Sequence, residues 1–217
     1  MVASFSIWQI IIIIAIYVIV ISGIHIYEEG KERSKTLRAI NRQLIETKNN
    51  ISVWELLLSE QPAIETEEVS NIVFGKPEAT NILTIVCNPY CKPCAETHNE
   101  ICSILNRELD LKVQYILTSQ NNIAECASVF LCKAYFTLGK DSYRVFSLWF
   151  DDNENKEQII KDYDEVLENN KKSLEEIERH SEWIKRHGIL TTPSIFYNGR
   201  RLPSVYSISD IKYFLFE

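Results

Sequence analysis

Residues 7–27 are almost entirely apolar, with isoleucine and valine predominant, and no Asp, Glu, Lys or Arg occurs before Glu28. About 20 residues at a rise of 1.5 Å each span the roughly 30 Å hydrocarbon layer of a bilayer. Trp8 and Tyr27 stand at the two ends, where amphipathic rings favour the membrane interface. The pattern predicts one transmembrane helix over this range, after a tail at residues 1–6.

A cleaved signal peptide is the competing interpretation of this segment. Its apolar region would be shorter, about 7–15 residues, and would follow a basic start. Nothing basic precedes the segment here except the amino terminus, which favours an uncleaved anchor. Basic residues do follow it, and the positive-inside tendency would keep that side cytoplasmic. These residues are Lys31, Arg33, Lys35, Arg38 and Arg42.

Residues 28–71 are predicted to form a helical stalk and linker. Strong helix formers run from Lys31 to about Thr47, with apolar residues at 3–4 spacing. A second apolar patch, Val53–Leu58, ends near Pro62 and is expected to pack against the folded domain or the membrane surface. The apolar stalk positions are Leu37, Ile40, Leu44 and Ile45.

Beyond residue 72 the pattern changes to short strands and helices. A strand at 72–74, a buried strand at 82–87 and an alternating strand at 111–117 are predicted. A helix follows residue 90 and runs to about Glu108. A strand–helix–strand order predicts two parallel strands joined by a crossover helix, and therefore an α/β domain over residues 72–217.

A largely helical insertion is predicted at about residues 121–188. Its last helix begins with Ser173-Leu-Glu-Glu176, a capping-box pattern, and ends at Gly188. The predicted helices cover residues 121–138, 154–168 and 173–187.

The chain after the insertion is predicted to form a hairpin and a final helix. Asn198-Gly199 supplies the positive φ angles of a tight turn. Strands at 194–197 and 200–202 therefore pair, and a helix over 209–216 follows.

Composition and net charge exclude some classes of function. A net charge of −7 argues against nucleic acid as a partner, because phosphate binding needs a concentrated basic face. A hydrophobic share of 46% is sufficient for a packed core. The six cysteines are too few for a disulfide-stapled scaffold, and the clustering of Cys87, Cys91 and Cys94 indicates chemistry.

The motif Cys91-Lys-Pro-Cys94 lies between a buried strand and a helix. Two intervening residues at a helix start bring two sulfurs within bonding reach. Backbone N–H groups and the helix dipole are expected to lower the pKa of Cys91, with Lys92 adding positive charge. Pro93 suits a first helical turn. Cys94 would lie deeper and act as the resolving thiol.

A second signal is Thr191-Thr-Pro193, immediately before the 194–197 strand. With the Cys91–Cys94 motif, it makes residues 72–217 resemble the thioredoxin superfamily. The resemblance implies that Pro193 is cis and faces the dithiol, and that Thr192 offers its backbone to a substrate peptide. A cis X-Pro bond costs only about 0.5–1 kcal/mol. The long insertion is more similar to DsbA-type domains than to compact thioredoxin.

The motif also departs from the familiar versions. Tyr90 replaces the tryptophan common before the thioredoxin dithiol, and Lys-Pro lies between the cysteines, so the family's redox direction does not transfer. The run from Asn88 to Ala95, behind a span and stalk, also resembles thioredoxin-like domains fused to vitamin K epoxide reductase-type membrane proteins. That resemblance implies a separate membrane redox partner, quinone-linked.

The resemblance implies a membrane-anchored thiol–disulfide oxidoreductase acting on protein thiols or disulfides through Cys91 and Cys94. The domain would face an extracytoplasmic compartment, the periplasm or the cell surface, against the tendency of the charges that follow the span. No cofactor or metal is expected. The supporting site residues are Tyr90, Lys92, Pro93, Thr192 and Pro193.

Two alternatives remain open at this point. The fold could serve as a membrane-tethered binding or assembly module without catalysis. The second alternative is a Cys3His zinc site, because zinc sites also use the Cys-x-x-Cys spacing. Its ligands would be Cys87, Cys91, Cys94 and His98.

The other cysteines and histidines are predicted to be structural. Cys87 is interpreted as a core residue rather than a third redox thiol, and Cys102 as a buried helix residue. Cys126 and Cys132 lie about 9 Å apart along one helix, too far for a disulfide, with Cys132 on the more polar, accessible side. His98 is expected to be exposed or half-exposed, and His180 and His187 to be surface or capping residues.

Overall fold

The computed structural model describes residues 7–107, 109–118, 121–151, 154–167 and 171–215, without the side chains of residues 123, 124 and 164. The chain divides into two compact units, Met1–Asn50 and Ile51–Glu217. The first unit contains the continuous apolar run, and the second contains the shorter strand and helix patterns.

The first unit contains one uninterrupted helix, α1, Ile7–Lys48, and none of its residues is buried. Within the described ranges it is the one helix that is long and apolar enough to cross a membrane. The sequence predicts a span and a stalk as separate elements. The structure joins them, because the residues after the span are strong helix formers.

The second unit is built on a five-stranded mixed sheet with the order β1-β3-β2-β4-β5. Only the β2–β3 pair is parallel; the other three pairs are antiparallel. A parallel pair requires a crossover connection, and the helix α3 provides it. The strands are β1 Val73–Gly75, β2 Ile82–Cys87, β3 Lys112–Leu117, β4 Ser194–Tyr197 and β5 Arg200–Arg201.

Six helices accompany α1 and the sheet in the part of the chain that the structure describes beyond residue 90. They are α3 Lys92–Leu105, α4 Asn122–Leu138, α5 Tyr143–Trp149, α6 Lys156–Asp164, α7 Lys171–Arg186 and α8 Ile208–Ile211. A short helix, α2 Ile51–Ser59, precedes the sheet.

Successive side chains of a strand point to opposite faces of the sheet. The central strands therefore contribute side chains to two hydrophobic cores. Ile85 and Cys87 belong to the larger core, whereas Val86 lies in a smaller one with Trp183 of α7. Both faces of β2 are therefore covered, which explains its continuous apolar sequence. The predicted α/β architecture is confirmed.

The predicted hairpin is also present. Asn198 and Gly199 have φ angles of 46° and 76°, the positive values that a two-residue turn requires. A side chain at Gly199 would meet the Ile64 carbonyl oxygen at 2.7 Å. This close approach leaves room only for glycine.

The helix α2 packs its Trp54 into the core of the second unit. The indole stacks on Phe214 at 4.3 Å between ring centroids and makes edge contacts with Tyr197 and Tyr206. The compact unit thus begins at Ile51, whereas the sequence assigns residues 28–71 to a stalk and linker.

The predicted capping box at Ser173 and Glu176 is wrong. The helix α7 is already formed at Lys171, and both residues are buried inside it. Glu176 accepts hydrogen bonds from the Asn71 backbone and side chain at 2.7 and 2.9 Å, and it pairs with Arg179. The carboxylate therefore joins α7 to the chain before β1 rather than closing a helix terminus.

His180 is fully buried, contrary to the prediction of a surface residue. Its Nδ1 accepts a hydrogen bond from the Leu117 N–H at 3.1 Å, and its Nε2 lies 3.1 Å from Glu176. Burial lowers the pKa of this imidazole. His180 thereby fastens α7 to the end of β3.

Two further predictions are corrected on the helices. Cys132 is fully buried and Cys126 is exposed, the reverse of the predicted accessibilities. The final helix α8 covers only Ile208–Ile211, after a capping box formed by Ser207 and Asp210, whereas the sequence predicts a helix over 209–216. Residue 216 lies outside the described residues.

Candidate active site

The two cysteines of the motif occupy the first turn of α3. Cys91 is the N-cap residue, with extended backbone (φ −86°, ψ 119°), and a proline follows within the first turn. The Cys91 carbonyl accepts the N–H groups of Cys94 and Ala95 at 3.0 and 3.2 Å. Cys91 is half-buried, whereas Cys94 is fully buried. Both are free cysteines.

Asn88 shapes the turn that precedes the helix. Its side-chain oxygen accepts the Tyr90 N–H at 2.9 Å, and its carbonyl accepts the Cys91 N–H at 3.0 Å. Its own N–H donates to the Cys94 sulfur at 3.4 Å. Asparagine commonly closes such a turn with its side chain. The residue between strand and helix thus also binds the buried thiol.

The register of the sheet brings Thr192 and Pro193 to the dithiol. In the antiparallel β2–β4 pair, Val86 faces Ser194. Thr192 and Pro193 directly precede Ser194 and therefore lie beside the end of β2. The Thr192–Pro193 peptide bond is cis, and the Cys91 thiol donates to the Thr192 carbonyl oxygen at 3.5 Å. Two segments separated by about 100 residues therefore meet at one point.

The two thiols share a hydrogen bond and lose their first proton as a pair. A hydrogen bond from the Cys87 thiol, with others from the Asn88 N–H and from Cys91 and Thr192, lowers the pKa of Cys94 to about 6 against the effect of burial. Burial raises the pKa of Cys91. The first proton lost therefore belongs to the pair and not to one sulfur.

Cys87 forms the floor of this site. It is fully buried in the larger core, as the sequence predicts. Burial, followed by its hydrogen bond to Cys94, raises the pKa of its thiol well above the usual value. A protonated thiol beside the dithiol is a feature that the sequence prediction does not include.

His98 lies one turn after Cys94 and is fully buried, which contradicts its predicted exposure. Its Nδ1 is 2.7 Å from the Tyr115 hydroxyl and its Nε2 is 3.5 Å from Ser147. Burial lowers its pKa to about 4, so the ring is neutral at neutral pH. The i and i+4 positions of a helix share one face, and here that face points into the core.

The zinc alternative is not supported by this arrangement. Both ring nitrogens of His98 face hydroxyl groups rather than the cysteines. Across the described ranges, no group of three or more His, Cys, Asp or Glu side chains is arranged to hold a metal ion.

Tyr90, Lys92 and Pro93 are exposed around the dithiol. Tyr90 makes an edge contact with Trp149 at 5.8 Å between ring centroids. The Trp149 indole N–H donates to the Pro89 carbonyl at 3.0 Å. The sequence identifies Trp149 only as core material, and nothing in its spacing indicates that it supports the loop before Cys91.

Comparisons with known proteins agree on the fold. Residues 67–215 match the family model described as thioredoxin. No curated protein sequence matches the chain.

Several solved structures resemble the chain at low sequence identity. ScsC of Proteus mirabilis in a transitional conformation is 14% identical with a TM-score of 0.59, over 83% of this chain and 97% of that one. A periplasmic thioredoxin-like protein of Salmonella enterica serovar Typhimurium is 12% identical with a TM-score of 0.57, over 70% and 99%. The thiol–disulfide exchange protein alpha-DsbA2 of Wolbachia pipientis is 14% identical with a TM-score of 0.55, over 80% and 96%. The predicted thioredoxin-like fold with a helical insertion is confirmed.

Proposed function

This chain belongs to the thioredoxin family, and we propose that it is a thiol–disulfide oxidoreductase whose reactive pair is Cys91 and Cys94. The observation that carries the proposal is the meeting of a half-buried thiol, a buried acidic thiol and the Thr192 carbonyl at the start of α3. A redox dithiol needs one accessible sulfur and one protected sulfur that resolves the intermediate.

Cys91 is the sulfur that meets the substrate, because Cys94 has no exposed surface. The Cys91 thiol passes its proton to the Cys94 thiolate and attacks a substrate disulfide as a thiolate. A Cys91–substrate bond forms, the substrate S–S bond breaks, and the other substrate sulfur leaves as a thiolate that takes up a proton.

Cys94 completes the exchange. After losing its proton again, its thiolate attacks Cys91 in the mixed disulfide, a Cys91–Cys94 bond forms, and the remaining substrate sulfur leaves. The dithiol loses two electrons and the substrate disulfide gains them. Run in reverse, the same steps oxidise two substrate thiols, and the reduction potential decides the direction.

Thr192 and Pro193 are the positioning residues of the proposal. Thr192 already accepts a hydrogen bond from Cys91 through its carbonyl. Both residues are half-buried and Thr191 is exposed, so their backbone is open to an extended substrate peptide. Tyr90, Lys92 and Pro93 would form the surrounding surface.

We place the domain outside the cytoplasm, in the periplasm or at the cell surface, with α1 as a single-pass anchor. The apolar length of α1 supports the anchor, and the periplasmic description of the similar Salmonella protein supports the compartment. A membrane partner of the vitamin K epoxide reductase type, or another quinone-linked protein, would exchange electrons with the dithiol.

The activity is tested by redox titration of the full-length chain in detergent. We expect one reversible two-electron couple, lost in Cys91→Ser and in Cys94→Ser. Cys126→Ser, at an exposed thiol outside the site, is the matched control and retains the couple. A wild-type chain without a reversible couple would contradict the proposal and favour the binding-module alternative.

Sidedness is tested with a membrane-impermeant maleimide on intact cells or spheroplasts. An extracytoplasmic domain is labelled at Cys91 and Cys126 before lysis. Labelling only after lysis would place the domain in the cytoplasm, as the basic residues after the span favour.

A further inference from the structure

The four residues from Asn88 to Cys91 form the turn that connects β2 to α3. The Asn88 carbonyl accepts the Cys91 N–H at 3.0 Å, which closes the turn. Asparagine and proline are favoured at the first two positions of the commonest β-turn, and Asn88 and Pro89 stand there in this chain. The local sequence therefore favours this turn before any tertiary contact forms.

Two further hydrogen bonds fix the shape of the turn. The Asn88 Oδ1 atom accepts the Tyr90 N–H at 2.9 Å. The Pro89 carbonyl accepts the indole N–H of the fully buried Trp149 at 3.0 Å. An asparagine side chain that binds the backbone two residues ahead holds its own backbone in the turn conformation. The direction of the Asn88 N–H is therefore set by the Asn88 side chain and by the turn that it closes.

The Asn88 N–H is directed at the buried sulfur of the motif. Its nitrogen lies 3.4 Å from Cys94 Sγ, and Cys94 has no exposed surface. The Asn88 carbonyl, besides accepting the Cys91 N–H, lies 3.9 Å from Cys87 Sγ. One residue outside the Cys-x-x-Cys motif thus contacts all three cysteines at this end of the sheet.

We propose that Asn88 is a positioning residue of the Cys91–Cys94 couple: its side chain holds the turn in which its backbone N–H donates to Cys94 Sγ, and this hydrogen bond stabilises the reduced pair and raises its reduction potential. This inference rests on the proposed function. It deepens that function by naming a residue that sets the redox equilibrium of the dithiol.

The hydrogen bond favours one redox state. When the dithiol loses a proton, its sulfurs carry a charge, and hydrogen bonds to charged groups contribute more than those to neutral groups. When the Cys91–Cys94 disulfide forms, two electrons pass to the substrate disulfide and both thiol protons are lost. Cys94 Sγ is then uncharged and gains little from the same donor. The donor therefore stabilises the dithiol more than the disulfide, which makes the couple a stronger oxidant.

A purely structural role for Asn88 predicts a different result. A turn that only connects β2 to α3 would contribute to the free energy of unfolding. Its loss would leave the equilibrium between dithiol and disulfide unchanged in the folded protein. The reduction potential and the pH titration of the thiolate therefore distinguish the two roles, whereas an unfolding measurement alone would not.

The test compares variants of the full-length protein in detergent by equilibration with glutathione and by pH titration of thiolate absorbance. Asn88→Ala removes the side-chain acceptor. Asn88→Gln keeps an amide but is one methylene longer, so it no longer closes the turn. For both we expect the equilibrium constant to move roughly three- to tenfold towards a more reducing couple, about 15–30 mV, and the thiolate titration to move to higher pH. Asn88→Ser, whose hydroxyl closes the same turn more weakly, should lie between Asn88→Ala and the wild type.

Asn106→Ala is the matched control, because Asn106 is exposed and caps the other end of α3. It should leave both readouts unchanged. The inference is overturned if a folded Asn88→Ala or Asn88→Gln variant keeps the wild-type equilibrium constant and titration, or if Asn88→Ser shifts them as far as Asn88→Ala. The alanine and glutamine variants cover each other should one fail to fold. A wild type without any couple would instead defeat the proposed function, which is a distinguishable result.

Discussion

Cys91 and Cys94 belong to one sequence motif, but they differ in solvent exposure. Cys91 is half-buried at the helix N-cap, whereas Cys94 is enclosed and receives the Asn88 N–H. Burial raises the pKa of the accessible thiol, and hydrogen bonds lower the pKa of the enclosed one. Attack by Cys91 therefore involves a proton transfer within the pair.

This division of roles predicts different outcomes for the two serine variants. Cys94→Ser leaves the attacking sulfur in place but removes the resolving one, so a mixed disulfide with substrate should accumulate and multiple turnover should fall to background. Cys91→Ser should form no adduct, because Cys94 is inaccessible. Mass spectrometry after acid quenching of a reaction with a disulfide peptide detects the adduct; equal adduct yields in the two variants would refute the assignment.

The sequence predicts that Cys91 and Cys94 lie at a helix start, because a short motif at a strand–helix junction constrains them locally, whereas the β2–β4 register brings Thr192 and Pro193 to them. It does not predict the hydrogen bond from the Asn88 N–H to the Cys94 sulfur. The contacts of the Cys94 sulfur depend on how the turn before α3 folds, and the burial of His98 depends on which face of α3 meets the sheet. Tertiary packing decides both.

Among the elements, α2 shows how a short helix becomes part of a core. The helix has nine residues, too few for an isolated helix in water. The stacking of Trp54 on Phe214 and its edge contacts with two tyrosines stabilise it. The packing of α2 is therefore a tertiary effect.

Removing that anchor should destabilise the second unit. Trp54→Ala is expected to lower the free energy of unfolding by about 3–5 kcal/mol, the usual cost of truncating a buried tryptophan. Leu56→Ala, on the same helix but 59% exposed, should change it by less than about 0.5 kcal/mol. Urea unfolding monitored by far-UV circular dichroism measures both, and similar midpoints for the two variants would contradict the packing role of α2.

Elements with long, regular patterns were the ones that the sequence predicted well. The strands β2 and β3, the helix α3 and the Asn198–Gly199 hairpin all follow from local spacing. The helix α5 was not predicted, because its seven residues depend on burying Val145, Phe146 and Trp149. The buried Glu176 explains the failed capping box, since its hydrogen-bond donor Asn71 lies more than 100 residues away.

At the scale of the whole molecule, three buried ionisable groups link folding to acidity. Burial lowers the pKa of His98 to about 4 and lowers that of His180. Burial would raise the pKa of Glu176, but hydrogen bonds from His180, Arg179 and Asn71 lower it to about 2. All three groups bind protons more readily in the unfolded chain.

Stability should therefore fall as the pH falls. A histidine with a depressed pKa contributes stability above its unfolded pKa of 6.5 and loses it as the pH drops towards the folded value. For His98 alone the loss is roughly 3 kcal/mol by pH 4, and Glu176 adds to it from about pH 4.5 down to about 2. Urea midpoints measured from pH 7 to pH 4 test this.

His98→Gln provides the comparison for that series. Glutamine can keep a hydrogen bond to the Tyr115 hydroxyl but does not titrate, so the variant should show a shallower decline between pH 6.5 and pH 4. Parallel curves for the variant and the wild type would exclude His98 as a source of the acid sensitivity.

The hydrogen bond from Trp149 to Pro89 has a practical consequence. Indole emission is quenched by a nearby disulfide and responds to a thiolate, and Trp149 is fastened to the loop that carries the reactive pair. The fluorescence of the protein should therefore change as the Cys91–Cys94 pair is oxidised, without any attached dye. Trp149→Phe should abolish this change.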